Sequence, residues 1–159
     1  MVKVLFTFEP WEAIWPEFSA LLYSECAPEV SQFQDRMKVQ IDYEFYQRMD
    51  VTGRLDTIAA RDDEILVGYF QSCVLPNPHF LGVPCAYVTH YYLKPAYRGY
   101  GYGAVLFDIA TAALEVRGVK CVWGGAKVSQ QTDRIYERQG WTLIEKLYTR
   151  WLGPPTMEK

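Results

Sequence analysis

Residues 92–106, Tyr92-Leu93-Lys94-Pro95-Ala96-Tyr97-Arg98-Gly99-Tyr100-Gly101-Tyr102-Gly103-Ala104-Val105-Leu106, decide how this chain folds. Upstream, the apolar run Tyr87 to Leu93 reads as a strand that stops at Pro95. Downstream a helix starts at once, with Ala104, Val105, Leu106, Ile109, Ala110 and Ala113 on its apolar side. In between, Gly99, Gly101 and Gly103 alternate with tyrosines. Glycine lets the backbone approach a ligand closely and take dihedrals that other residues avoid. The helix start leaves its first N–H groups unpaired and carries partial positive charge. Together these features predict an anion site of the kind that holds a pyrophosphate.

Several loops of this type are known. A P-loop needs four residues between its glycines and then Gly-Lys-Ser/Thr, and no such run is present. A dinucleotide fingerprint needs G-x-G-x-x-G with an acidic residue roughly 20 positions on, at the end of the next strand. Here the spacing is G-x-G-x-G and the next strand ends in Gly124-Gly125. The run Arg98-Gly99-Tyr100-Gly101-Tyr102-Gly103 instead resembles the Arg/Gln-x-x-Gly-x-Gly/Ala acyl-CoA signature of the GNAT superfamily of N-acetyltransferases. Leu93-x-Pro95 stands in that family's V-x-P position. Further on, Arg134-Ile135-Tyr136-Glu137-Arg138-Gln139-Gly140-Trp141 resembles its Leu-Tyr-Glu-x-x-Gly-Phe element. Segment 77–92, with Trp123 and Lys127, is also similar to a GNAT subgroup frequent in bacteriophage genomes.

The resemblance implies a cosubstrate, acetyl-CoA, and a place for each part of it. The pyrophosphate would rest on backbone N–H groups of Gly99, Gly101, Gly103 and Ala104. Arg98 would add charge at the phosphates or brace the loop. Tyr100 and Tyr102 lie in the same loop, and Tyr97 or Tyr100 would stack on the adenine. The pantetheine arm would run along Tyr91–Leu93 like an added strand. A backbone N–H near Tyr92 or Leu93 would hold the thioester oxygen, a contact typically worth ~3 kcal/mol in an acyl-transfer barrier.

Tyr136 takes the place of the family tyrosine that points at the sulfur. Its phenol stays protonated at neutral pH and would protonate the departing thiolate. Many members carry Asn seven positions earlier; here Ser129 stands there, with a single hydroxyl for a pantetheine amide. Members acting on ribosomal-protein N-termini place a Glu base where this chain has Gly124, which disfavours that subclass. The base stays open. His90 is the histidine near the expected thioester, and its ordinary pKa range suits proton abstraction at neutral pH. Thr89, Tyr87 and Glu25 are weaker candidates, and an amine arriving neutral needs no base.

Bulk properties fit one domain. The chain has 159 residues, half of them hydrophobic and 22% charged, enough for a real core. Its net charge of −3 argues against a general nucleic-acid binder but not against a basic substrate. Cys26, Cys73, Cys85 and Cys121 form no C-x-x-C pair and read as free thiols in a reducing compartment. His79 and His90 are the only histidines, which leaves no credible metal site. No apolar run reaches the ~18 residues needed to span a bilayer, and the N-terminus lacks a signal peptide's apolar region. The expectation is cytoplasm, or a host's cytoplasm for a viral chain.

The element order reads strand 2–7, helix 11–25, a second helical region 28–49 that is exposed or broken in its polar middle, then strands 54–60, 64–75 and 85–93. A helix at 101–116, a strand at 119–123, a helix at 130–139 and a strand region at 141–152 complete it. That is an α/β (α+β) order, and it matches the GNAT fold. The fold implies a single domain over 1–159, with a mixed, mostly antiparallel sheet flanked by helices. Its splayed parallel pair would be 85–93 and 119–123, joined by a crossover of sufficient length.

Functionally, the reading is an N-acetyltransferase in which a primary amine attacks the thioester directly in a ternary complex. The amine belongs to a small molecule, a peptide or a protein. The alternative is a non-catalytic GNAT-fold module that binds CoA or a protein partner. The Trp151-Leu152 end offers a surface for a homodimer.

Overall fold

Short runs of β-branched and aromatic residues, separated by turn residues, build a sheet one strand at a time. The computed structural model describes residues 3–30, 38–127 and 132–153. Strands β1 (Val4–Phe8), β2 (Leu55–Asp62), β3 (Ile65–Pro76), β4 (Pro84–Leu93) and β5 (Cys121–Trp123) lie side by side in chain order. The first four pair antiparallel, and β4 and β5 pair parallel. The parallel register runs Cys85↔Cys121, Ala86↔Val122 and Tyr87↔Trp123. Beyond Tyr87, β4 continues to Leu93 with no β5 partner among the described residues. The expected splay therefore opens at Tyr87 and Trp123.

Helices cover both faces. On one lie α1 (Trp11–Leu21), a π-turn at Leu22–Cys26, α2 (Ala27–Val30) and α3 (Tyr43–Val51). On the other lie α4 (Tyr102–Val116), the crossover from β4 to β5, and α5 (Asp133–Arg138). The apolar stripe of α1 places Trp11, Ile14 and Phe18 against Ala59, Tyr69, Cys73 and Tyr92, and all three α1 side chains are wholly buried. Each fully buried side chain of this size contributes roughly 1.5–3 kcal/mol. The α4 stripe, Leu106, Phe107 and Ala110, packs on Ile58, Val67 and Phe70, with Tyr136 from α5 beside it.

Ion pairs tie α1 to the sheet. Arg61 at the end of β2 binds Glu9 (2.7 and 2.8 Å) and Glu17 of α1 (2.9 and 3.0 Å). Its hydrogen bonds hold the Glu9 and Glu17 carboxyls below their ordinary pKa. Asp42 caps α3 by accepting from the Phe45 amide (2.9 Å). Among the described residues no helix is long and apolar enough to cross a membrane.

Three local expectations change. The helix expected over 11–25 is α-helical only to Leu21 and then widens into the π-turn; Pro16 sits inside α1 without breaking it. The second helical region is interrupted: 38–42 are non-helical and 31–37 lie outside the described residues. The strand region expected at 141–152 has no regular structure, and Leu143, Ile144, Leu147 and Tyr148 stand exposed. Alternation of apolar residues covers one face of a strand, but a strand also needs a neighbour for its backbone groups. Trp141 alone of this segment joins the core, against Tyr136 and Phe107.

Candidate active site

The glycine loop has the geometry its composition dictates. Gly99 and Gly101 take φ of +86° and +85°, in the left-handed region that L side chains rarely adopt. Among the described residues, apart from the chain neighbours, no atom lies within 4 Å of where a Cβ would stand on either one, so the space beside the loop is open. Gly101 is the N-cap of α4 without any side-chain cap. The first helical bond runs from the Val105 amide to the Gly101 carbonyl (3.2 Å), so the amides of Gly103 and Ala104 have no carbonyl within the helix to bond. Gly103 allows α4 to meet α5: a Cβ there would stand 3.1 Å from Ile135 Cδ1. Tyr100 is exposed, while Tyr102 packs by Phe6.

Arg98 braces this loop. Its Nε donates to the Leu93 carbonyl (2.8 Å), and Nη1 and Nη2 bind both oxygens of Glu29 on α2 (2.8 Å each). The guanidinium lies over the Tyr92 ring, 5.3 Å from its centroid. These contacts hold the Arg98 side chain between the end of β4 and α2. The Tyr92 side chain points to the α1 face, where its hydroxyl donates to Glu25 (3.5 Å) and burial pushes its pKa up to about 12. Leu93 packs on the opposite face.

Tyr136 stands at the mouth of the splay. It is buried, and its hydroxyl donates to the Gly125 carbonyl just past β5 (3.4 Å). Tyr91, on the same face of β4, meets it edge-on with centroids 5.9 Å apart. Burial first, and then the Tyr91 hydroxyl, push the Tyr136 pKa above its ordinary value, so it holds its proton at neutral pH. Ser129 lies outside the described residues.

His90 lies on the other face of the sheet from Tyr136. A bulge in β4 opposite Gln71 and Ser72 brings Thr89 and His90 to one side. Gln71, wholly buried, donates from Nε2 to Thr57 Oγ1 (3.3 Å), which turns its Oε1 toward Thr89 Oγ1 and His90 Nδ1, each 3.0 Å away. Nδ1 therefore carries the hydrogen and Nε2 keeps a lone pair. Phe18 and Tyr46 flank the ring, each 5.8 Å away. Burial, with a smaller contribution from Lys127, lowers the His90 pKa to about 4. The imidazole is thus neutral at pH 7 but a weaker base than an ordinary histidine.

Reading the sequence did not pick out Gln71, Glu29 or the Trp123 indole N–H, a buried donor with no acceptor among the described residues. A lone glutamine between Phe70 and Ser72 in an apolar strand was the available signal for the first. Glu29 carried none, since its partner is distant in sequence. No cluster of three metal-ligating side chains occurs among the described residues.

Residues 11–141 match the family model described as the acetyltransferase (GNAT) family. The chain belongs to the GNAT family. Membership indicates acyl-CoA-dependent acyl transfer, and the described architecture is that of a GNAT domain, with its antiparallel sheet and parallel β4–β5 pair. This GNAT chain shares its fold with a ribosomal-protein-alanine N-acetyltransferase from Brucella melitensis biovar Abortus, at 22% identity and TM-score 0.70, over 95% of this chain and 100% of that one. It also resembles an aminoglycoside acetyltransferase from an uncultured soil sample, solved with sisomicin, at 18% identity and TM-score 0.71, over 96% and 97%. A predicted acetyltransferase from Clostridium acetobutylicum, solved with acetyl-CoA, aligns at 13% identity and TM-score 0.73, over 94% and 97%. No curated protein matches the chain in sequence.

Proposed function

We propose that this GNAT chain is an N-acetyltransferase that moves an acetyl group from acetyl-CoA to a primary amine by direct attack. The observation that carries the reading is Tyr136: a buried, protonated phenol delivered by α5 to the mouth of the β4–β5 splay. The glycine loop lies at the other end of the same open stretch of β4. Acetyl-CoA supplies the acyl group as a thioester. The open space beside Gly99 and Gly101, and the amides of Gly103 and Ala104, fit its diphosphate. The side of β4 at Tyr91, Tyr92 and Leu93, which has no β5 partner among the described residues, fits an extended pantetheine arm, with the Trp123 N–H as a further polar group; Ser129 is a candidate from its position in the sequence alone.

Tyr136 gives its proton to the sulfur as the C–S bond breaks and the N–C bond forms. The proton lost by the amine goes to water or to His90 Nε2. With a pKa of about 4, His90 serves better as a hydrogen-bond acceptor for a neutral amine than as a strong base. The acceptor is a small molecule, a peptide or a protein; the aminoglycoside and ribosomal-protein enzymes that share the fold mark two such classes. The free thiols, three of them buried, suit a reducing compartment such as the cytoplasm.

Thiol release from acetyl-CoA across an amine panel of polyamines, aminoglycosides, amino acids and lysine peptides tests the activity. In the Tyr136→Phe variant kcat is expected to fall about a hundredfold while acetyl-CoA still binds. CoA binding without turnover across this panel would point to a protein acceptor; the same silence with protein acceptors as well would mark a binding module and overturn the enzyme reading.

A further inference from the structure

Gly124 follows β5 directly, and its backbone does not require a glycine. Its φ lies outside the left-handed region occupied by Gly99 and Gly101. The reason for a glycine must therefore be space. A Cβ built there would stand 2.6 Å from both Cε1 and the hydroxyl oxygen of Tyr136, and 2.9 Å from Cζ. Real Cβ contacts essentially never fall below 3.0 Å. Nor can the ring step aside cheaply. Tyr91 (5.9 Å, 85°), Phe107 (5.2 Å, 86°) and Trp141 (4.9 Å, 70°) meet it edge-on and box it in.

We propose that Gly124 is the positioning residue for Tyr136: the missing side chain at the end of β5 is the slot that admits the phenol to the splay. The inference rests on the reading of Tyr136 as the acid. Any larger residue at 124 turns the ring out of the slot and separates its hydroxyl from the Gly125 carbonyl. With glycine at 124, the end of β5 presents no base there. The acid comes from α5, and proton acceptance is left to the opposite face of the sheet.

The test compares wild type, Gly124→Ala, Tyr136→Phe and the double variant, with acetyl-CoA and the fastest amine of the panel. Gly124→Ala is expected to lower kcat about a hundredfold, the scale of a misplaced catalytic group, with CoA affinity kept. On the Tyr136→Phe background the same change is expected to cost less than about twofold, because the two residues act as one unit. Where Tyr136→Phe itself lowers kcat, a full additional loss on that background, or an unchanged kcat in Gly124→Ala, overturns the proposal. NMR of ring-labelled tyrosine, with the Tyr136 signal assigned by its loss in Tyr136→Phe, reads position without activity. The signal is expected to move in Gly124→Ala; an unmoved signal overturns the proposal even if no amine turns over. Should Tyr136→Phe keep full kcat while the signal moves, the acid role falls and the positioning stands. If Gly124→Ala fails to fold, pairing it with Tyr136→Leu is expected to restore the stability of Tyr136→Leu alone, and failure to do so counts against the slot.

Discussion

The acid and the proton acceptor proposed for one reaction sit on opposite faces of a sheet, and burial acts on them in opposite directions. It raises Tyr136, whose charged form is the anion, and lowers His90, whose charged form is the cation. Both are thereby neutral across the physiological range. The His90 shift is also a stability statement. Its folded pKa, about 4, lies below the ordinary value of 6.5, so the unfolded chain binds more protons between the two. The neutral, partly buried ring contributes stability that is complete above pH 6.5 and is lost as pH falls toward 4. Melting temperatures measured between pH 7 and pH 4 are expected to decline, and to decline less steeply in His90→Gln. Equal slopes would show that His90 is not the group responsible. The candidacy of Tyr136 was legible from the resemblance of Arg134–Trp141 to the family element. Gln71 was not, because a hydrogen bond to His90 nineteen positions away depends on which strands pair and where the bulge falls.

Among the elements, α4 shows most plainly how sequence makes a site. Its apolar stripe forces one face onto the sheet, and Gly101 ends the preceding loop at φ +85° without a capping side chain. Gly101→Ala is expected to cost about 1–2 kcal/mol from the left-handed backbone alone. It is also expected to weaken CoA binding, since the methyl enters the open space beside the loop. Calorimetric titration of CoA alongside a thermal melt separates the two effects. An alanine variant with both properties of the wild type would remove the loop from the proposed cradle. The strands and α4 were legible because their periodicity and their Gly and Pro boundaries agree. The 141–152 segment was not, because its alternating pattern names a face and not a partner strand. The π-turn at Leu22–Cys26 was hidden for a related reason: one extra residue per turn leaves the apolar spacing of a helix nearly intact.

At the scale of the molecule, the two proposed half-sites meet at the splay, and the Arg98–Glu29 pair fastens the glycine loop to the helices of the α1 face. Ligand that fills the splay should stabilise the whole. CoA at a hundred times its dissociation constant is expected to add about 2.7 kcal/mol to folding and raise the melting temperature, while NAD leaves it unchanged. A shift with NAD and none with CoA would reverse the assignment of the loop. The overall plan was readable because the GNAT motifs fix the central strands and α4; the acceptor was not, because the α1 face is assembled from residues scattered over several elements. The four sulfhydryls are also unequally placed. Cys26, Cys73 and Cys85 are sealed in, whereas Cys121 is half open at the first rung of the parallel pair. An electrophile arriving from solvent meets that one thiol ahead of the rest, which gives the edge of β5 a natural attachment point for a reporter dye.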